Sequence, residues 1–78
     1  MQLTAAVFNA GLGDLSLGLT LSGFKIITAY EPDQKACAVH NINIDAPVHH
    51  LSLDEIDTNA IPAVDLLAAH LHLKPTVR

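Results

Sequence analysis

The chain is poor in positive charge. Lys25, Lys35, Lys74 and Arg78 are its only basic side chains, against eight acidic ones, for a formal charge of −4. Duplex DNA is held largely through several Lys or Arg contacts to phosphate. Four scattered cations do not supply them, so this segment alone is expected to bind nucleic acid poorly. Cysteine is nearly absent too. Cys37 stands alone, which excludes an internal disulfide framework and fits a reducing, cytoplasmic compartment. There is no tryptophan, and Phe8, Phe24 and Tyr30 are the only aromatics. The core must therefore come from Leu, Ile, Val and Ala. No run approaches the ~18 apolar residues that cross a bilayer. The apolar first 23 residues lack a basic leader and are interrupted by Asp14, unlike a secretory signal.

What is present is an apolar, globular composition: half of the 78 residues are hydrophobic. A chain of this length buries roughly 60% of its unfolded surface, so its core is thin. Nucleotide-binding α/β domains usually run nearer ~150 residues. The expectation is a single truncated domain over 1–78, completed by self-association or by a complementing polypeptide.

Leu3 to Phe8 is apolar without clean alternation, as in a strand buried on both faces. A loop follows at Asn9 to Asp14, set by Gly11 and Gly13. Leu15, Leu17, Leu19 and Leu21 alternate like a strand. The fourfold spacings of Leu15 with Leu19 and Gly18 with Ser22 predict a helix instead, stopped by Gly23. Phe24 to Tyr30 is a second strand, ended by Glu31. Pro32 suits a first helical position and Asp33 the positive end of the dipole. That helix should present Ala36, Val39, His40 and Asn43 on one face. Val48 to Leu51 is a short third strand. Ser52 to Glu55 has the capping-box pattern, and Pro62 closes the next loop. Ala63 to Ala69 is a fourth strand that His70 to Leu73 could extend before Pro75 ends it. Crossovers of a dozen or more residues suit parallel pairing.

Gly11-Leu12-Gly13 lies between a strand and a helix, where glycines let backbone N–H groups approach a ligand. The dinucleotide fingerprint wants a third glycine at position 16, which here is Ser16. An S-adenosyl nucleoside fits as well as a dinucleotide, and a tight turn with no ligand remains the plain alternative. Glu31, at the carboxyl end of the second strand, stands where a carboxylate can accept from ribose hydroxyls.

The run Val7-Phe8-Asn9-Ala10-Gly11-Leu12-Gly13-Asp14-Leu15-Ser16-Leu17-Gly18-Leu19 adds detail to this layout. So do Ser22-Gly23-Phe24, Tyr30-Glu31-Pro32-Asp33, Ala36 and Asn41. Together they resemble the start of a DNA cytosine-5 methyltransferase. Val64-Asp65-Leu66-Leu67-Ala68 is similar to the strand that leads into that family's catalytic loop. The resemblance covers nearly all of this chain but only the front of a family member. It implies a Rossmann-like, parallel α/β fragment of three to four strands and two helices. It also implies S-adenosylmethionine as the cofactor, retained weakly or lost, in a protein of DNA-methylation or restriction–modification descent. By resemblance, Gly11 and Gly13 lie beside the methionine part, with Asn9 and Ala10 in the same loop. Glu31 meets the ribose, Pro32 packs on the adenine side, and Ser52 stands where the family has an aspartate for the adenine amine.

The departures matter as much. Val7 replaces an aspartate, Asn9 a phenylalanine, and Asp14 a common glycine. Asp14 also puts negative charge near the place for a methionine carboxylate, which is unfavourable. In the family, a cysteine after the fourth strand attacks C6 of a flipped cytosine. That position is Leu73, and Cys37 belongs to the second helix. No catalytic residue is therefore assigned, and methyl transfer by this chain alone is not expected. The alternative is a non-catalytic interaction module that uses the same scaffold to bind itself or a partner. His49, His50, His70 and His72 show no spacing that specifies a metal site. Asp54, Glu55 and Asp57 read as a solvated loop face.

Overall fold

The computed structural model describes residues 2–69. The elements run β1 (Leu3–Phe8), α1 (Asp14–Leu21), β2 (Phe24–Tyr30), α2 (Gln34–Asn43) and β3 (Val48–His49). Two 3₁₀ turns, Leu53–Glu55 and Thr58–Ala60, precede β4 (Leu66–Ala69). The four strands form one parallel sheet in the order β3-β2-β1-β4. This is the expected Rossmann-like α/β layout, with four strands and two helices.

β1 is flanked on both edges, and Ala5 to Phe8 are buried. Ala5, Val7, Ile26 and Ala29 turn to one face, where Leu15 and Leu19 of α1 and Ile44 and Ala46 beyond α2 cover them. Ala6, Phe8 and Tyr30 turn to the other. That face is covered by Leu51, Ile56, Ile61 and Val64 of the β3–β4 connection. The β1–β2 register shifts by one residue: Ala5 pairs with Ile26 and Ala6 with Thr28, leaving Ile27 as a bulge. Without that extra residue, Ile26 and Ala29 could not share a face, because side chains alternate along a strand.

α1 is a helix despite its alternating leucines. Leu15 and Leu19 pack inward, while Leu17 and Leu21 stay exposed. Ser22 caps its end and Gly23 follows with φ +98°, its N–H on Thr20 O at 3.1 Å.

The start of α2 corrects the sequence reading. Pro32 is not the first helical residue. Asp33 is the N-cap in extended conformation, and its carboxylate accepts from Lys35 N and Ala36 N at 2.8 and 3.3 Å. An aspartate at that place satisfies two otherwise orphaned donors, which outweighs the preference of proline for the first turn. The buried face is Ala36, His40 and then Ile44, whereas Val39 and Asn43 remain exposed.

β3 is shorter than expected. Leu51 N–H turns back to His49 O at 2.9 Å, a tight turn that ends the strand after His49 and sends Leu51 to the second face. β4 also starts late. Asp65 meets Thr4 before the ladder begins: its carboxylate accepts Thr4 N–H at 2.8 Å and its own N–H donates to Thr4 O at 3.1 Å. Ahead of it, Val64 packs on the second face instead of pairing. The expected extension over 70–73 lies outside the described residues. Ser52 to Glu55 do make one helical turn, with Glu55 accepting Ser52 N–H at 2.9 Å.

Candidate functional site

The carboxyl ends of parallel strands in an open α/β sheet form the usual ligand crevice. Here β1 leaves the sheet through a loop in which every second residue has left-handed backbone: Asn9 (φ +50°), Gly11 (φ +61°) and Gly13 (φ +110°). Asparagine tolerates this region and glycine enters it freely. Ala10, between the first two, is buried and donates its N–H to Tyr30 O at 3.0 Å, which anchors the loop to β2. The two glycines differ. A Cβ on Gly11 would meet nothing within 4 Å, so this backbone faces open space. A Cβ on Gly13 would sit 3.3 Å from Ile44 and 3.5 Å from the His40 ring.

Glu31 lies against this loop. It is 5% exposed. Its Oε1 accepts Gly11 N–H at 2.8 Å and its Oε2 accepts Asp33 N–H at 2.6 Å. Its own N–H donates to His49 O at 2.9 Å, and Cys37 Sγ donates to its carbonyl at 3.3 Å. One carboxylate thus joins the glycine loop to the start of α2. Each oxygen keeps a further lone pair for an incoming hydroxyl.

Of the residues singled out in the sequence, the fold brings Asn9, Ala10, Gly11, Gly13 and Glu31 into one loop-and-strand-end unit. Pro32 borders it, and its carbonyl pairs with His50 Nε2 at 2.8 Å. Ser52 is engaged elsewhere. Its hydroxyl is directed at Asp54 and Glu55, the latter at 2.7 Å. Those bonds hold both carboxyls below their ordinary pKa values: for Asp54 chiefly the Ser52 hydroxyl, for Glu55 chiefly the Ser52 N–H. Asp14 is the exposed first residue of α1. Phe8, Tyr30 and His49, each the last residue of its strand, stack in a row with ring centroids 5.2 Å apart at both steps.

The sequence reading missed one pair. Ser16 and His40 are both 0% exposed, and Ser16 Oγ lies 2.7 Å from His40 Nε2. In the sequence Ser16 reads as a missing third glycine and as part of the family-like run, and His40 as one residue of a helical face. Their meeting depends on how α1 crosses α2, which spacing does not carry.

Among the described residues no group of three or more His, Cys, Asp or Glu side chains is placed to hold a metal. His70, His72 and Leu73 lie outside them. Burial raises the Cys37 thiol pKa above its ordinary value, aided by the nearby Glu31 and Asp33 carboxylates. No helix among the described residues is long and apolar enough to cross a membrane.

The chain matches the sequence profile of the C-5 cytosine-specific DNA methylase family over residues 5–70. It is 36% identical over 61 residues to the Type II methyltransferase M.HgiDI of Herpetosiphon aurantiacus, covering 78% of this chain and 18% of that protein. It is 39% identical over 44 residues to the Type II methyltransferase M.HindV of Haemophilus influenzae, covering 56% of this chain and 14% of that one. The fold is similar to that of the plantazolicin methyltransferase BpumL, solved in complex with SAH. The TM-score is 0.69 at 18% identity, over 88% of this chain and 27% of BpumL. The chain thus spans under a fifth of M.HgiDI and M.HindV and about a quarter of BpumL.

Proposed function

Because the chain belongs to the C-5 cytosine-specific DNA methylase family, we propose that it corresponds to the cofactor-holding front of that fold and binds S-adenosylmethionine or its demethylated product without transferring the methyl group by itself. The observation that carries this reading is the 2.8 Å bond between Gly11 N–H and Glu31 Oε1. It sets a strand-end carboxylate beside a glycine backbone with open space in front of it, the pairing a nucleoside with a ribose diol requires.

The residues present fit such a group in part. Glu31 has lone pairs left for ribose hydroxyls, Gly11 admits close approach, and Pro32 borders the adenine side. Ser52 is turned to its own helical turn and offers the adenine amine less than an aspartate would. Asp14 adds negative charge where a methionine carboxylate would lie. Affinity should be weak as a result. When bound, S-adenosylmethionine supplies an electrophilic methyl group. A cytosine-directed reaction also needs a nucleophile, and the aligned position is Leu73, which has none.

Calorimetric titration of the chain with S-adenosylmethionine and S-adenosylhomocysteine tests the proposal. A dissociation constant at or below about a millimolar, ~4 kcal/mol, supports it, and no heat at several millimolar ligand removes it.

A second reading, self-association, is favoured by β4. It is uncharged, it pairs only with β1 among the described residues, and its Leu67 is 62% exposed. Such an edge invites strand pairing. Sedimentation of a monomer at micromolar concentration would rule it out.

A further inference from the structure

We infer that the buried Ser16–His40 pair is a latch beneath the glycine loop, and that His40 is the positioning residue through which acidity sets the geometry of the Gly11–Gly13 backbone. This rests on the cofactor reading for its consequence in binding, though not for the latch itself.

Three contacts tie α2 to the loop and to the helix that follows it. Ser16, in the first turns of α1, meets His40 Nε2 at 2.7 Å with both residues fully buried. Gly13, in left-handed conformation, rests on the same imidazole, 3.5 Å from its Cδ2 to the place a Cβ would take. One turn further along α2, Asn43 Nδ2 donates to Leu12 O at 3.4 Å. The His40 ring is therefore both the partner of α1 and the floor under Gly13. It cannot leave without releasing the residue that begins the helix, whose carbonyl accepts Leu17 N–H at 2.8 Å.

The other ring nitrogen gives the latch its sensitivity. His40 Nδ1 is buried and has no hydrogen-bond partner among the described residues. A neutral ring with its proton on Nε2 donates to Ser16 and leaves only a lone pair unmet. A second proton, on Nδ1, creates a buried donor with no acceptor on a buried cation, and both are costly. The charged side chains on the elements packed around the ring are few. Asp14 on α1 and Asp45 beyond α2 are exposed, β1 contributes none, and Glu31 at the end of β2 favours the charged ring. Burial outweighs Glu31 and holds the His40 pKa below its ordinary value. The ring then gains its proton by leaving the pocket, and Gly13 moves with it.

Amide exchange and ring titration by NMR on the full chain, between pH 7.5 and 5.3, test this. As pH falls, the protection factors of Gly11 and Gly13 N–H should drop several-fold more than that of Val7, because proton uptake by the ring is coupled to opening. The drop should share its midpoint with the His40 ring signals. His40→Gln, whose amide can still donate to Ser16, should flatten it. If the drop persists in H40Q, a group other than His40 drives it and the latch is wrong. Should H40Q not fold, the wild-type titration decides alone: His40 protonation without movement of the Gly13 signals overturns the inference. S-adenosylhomocysteine binding provides a separate arm. Measurable binding that stays constant from pH 7.5 to 5.5 overturns the latch. Absence of binding at every pH, with the exchange pattern intact, removes the cofactor reading and leaves the latch standing.

Discussion

Gly11 and Glu31 stand 20 residues apart in sequence and meet at 2.8 Å, backbone N–H to carboxylate. A helix and a strand lie between them. The bond closes the βαβ unit at the end where a ligand would enter, so Glu31 serves the fold before it serves any ligand.

Replacing Glu31 should therefore cost stability as well as binding. Hydrogen bonds to a charged partner are worth about 1.5–3 kcal/mol each, and Glu31 makes two to backbone donors. E31Q retains one acceptor and should lose about 1–2 kcal/mol. E31A leaves both N–H groups unmet and should lose more. Urea denaturation without ligand measures this. An unchanged midpoint in E31A would show that the carboxylate contributes nothing to the loop.

The two glycines should respond unequally to alanine. G11A meets only the left-handed penalty of about 1–2 kcal/mol. G13A adds a contact 3.3 Å from Ile44 Cγ1 at φ +110° and should cost clearly more. Equal losses in thermal melts would contradict the packing described for Gly13.

Acid should destabilise the fold earlier than its carboxylates alone require. The folded pKa of His40 is lowered by burial, so the unfolded chain binds the proton more tightly. Stability is at its full value above the unfolded imidazole pKa of about 6.5 and is lost as pH falls from there to the folded value. Asp54 and Glu55, whose folded pKa values are also lowered, lose their contribution only as pH falls through the carboxylate range. Melting temperatures between pH 7.5 and 5.5 should decline in the wild type and stay level in H40Q.

The β1–β4 register depends on Asp65. D65A removes the acceptor for Thr4 N–H and Oγ1, at 2.8 and 3.1 Å. The pair is exposed, so the loss should be near 1 kcal/mol, with faster amide exchange confined to β4. Faster exchange spread equally over β2 would locate the effect elsewhere.

Thr28 offers the opposite sign. Its Oγ1 is buried with no partner among the described residues. Thr28→Val keeps the shape and removes the unmet hydroxyl, so it should be neutral or stabilising by up to about 1 kcal/mol. A large loss in T28V would mean that the hydroxyl has a partner.

The parts of this fold legible in the sequence are those encoded by neighbours. β1 and β2 are apolar runs bounded by turn residues, and their limits match the structure. The glycine loop and Glu31 follow from spacing within one βαβ unit. What spacing did not carry needed three dimensions. Asp33 displaced Pro32 as the beginning of α2 because its carboxylate found two donors. Leu51 left β3 because the second face needed covering. Ser16 and His40 became partners through the crossing of two helices. Ser52 was aligned to a ligand role, yet its hydroxyl found two carboxylates in its own turn.

The bulge at Ile27 has a consequence for chain length. It works as a phase shifter between β1 and β2, adding one residue that has no partner in β1. A chain lacking this one residue would keep the same glycine loop and the same acid. Its second strand would arrive out of step, with Tyr30 facing the helices and the Glu31 carboxylate swung away from Gly11. The count of residues between loop and acid is thus part of the site's specification, as binding as the identity of either.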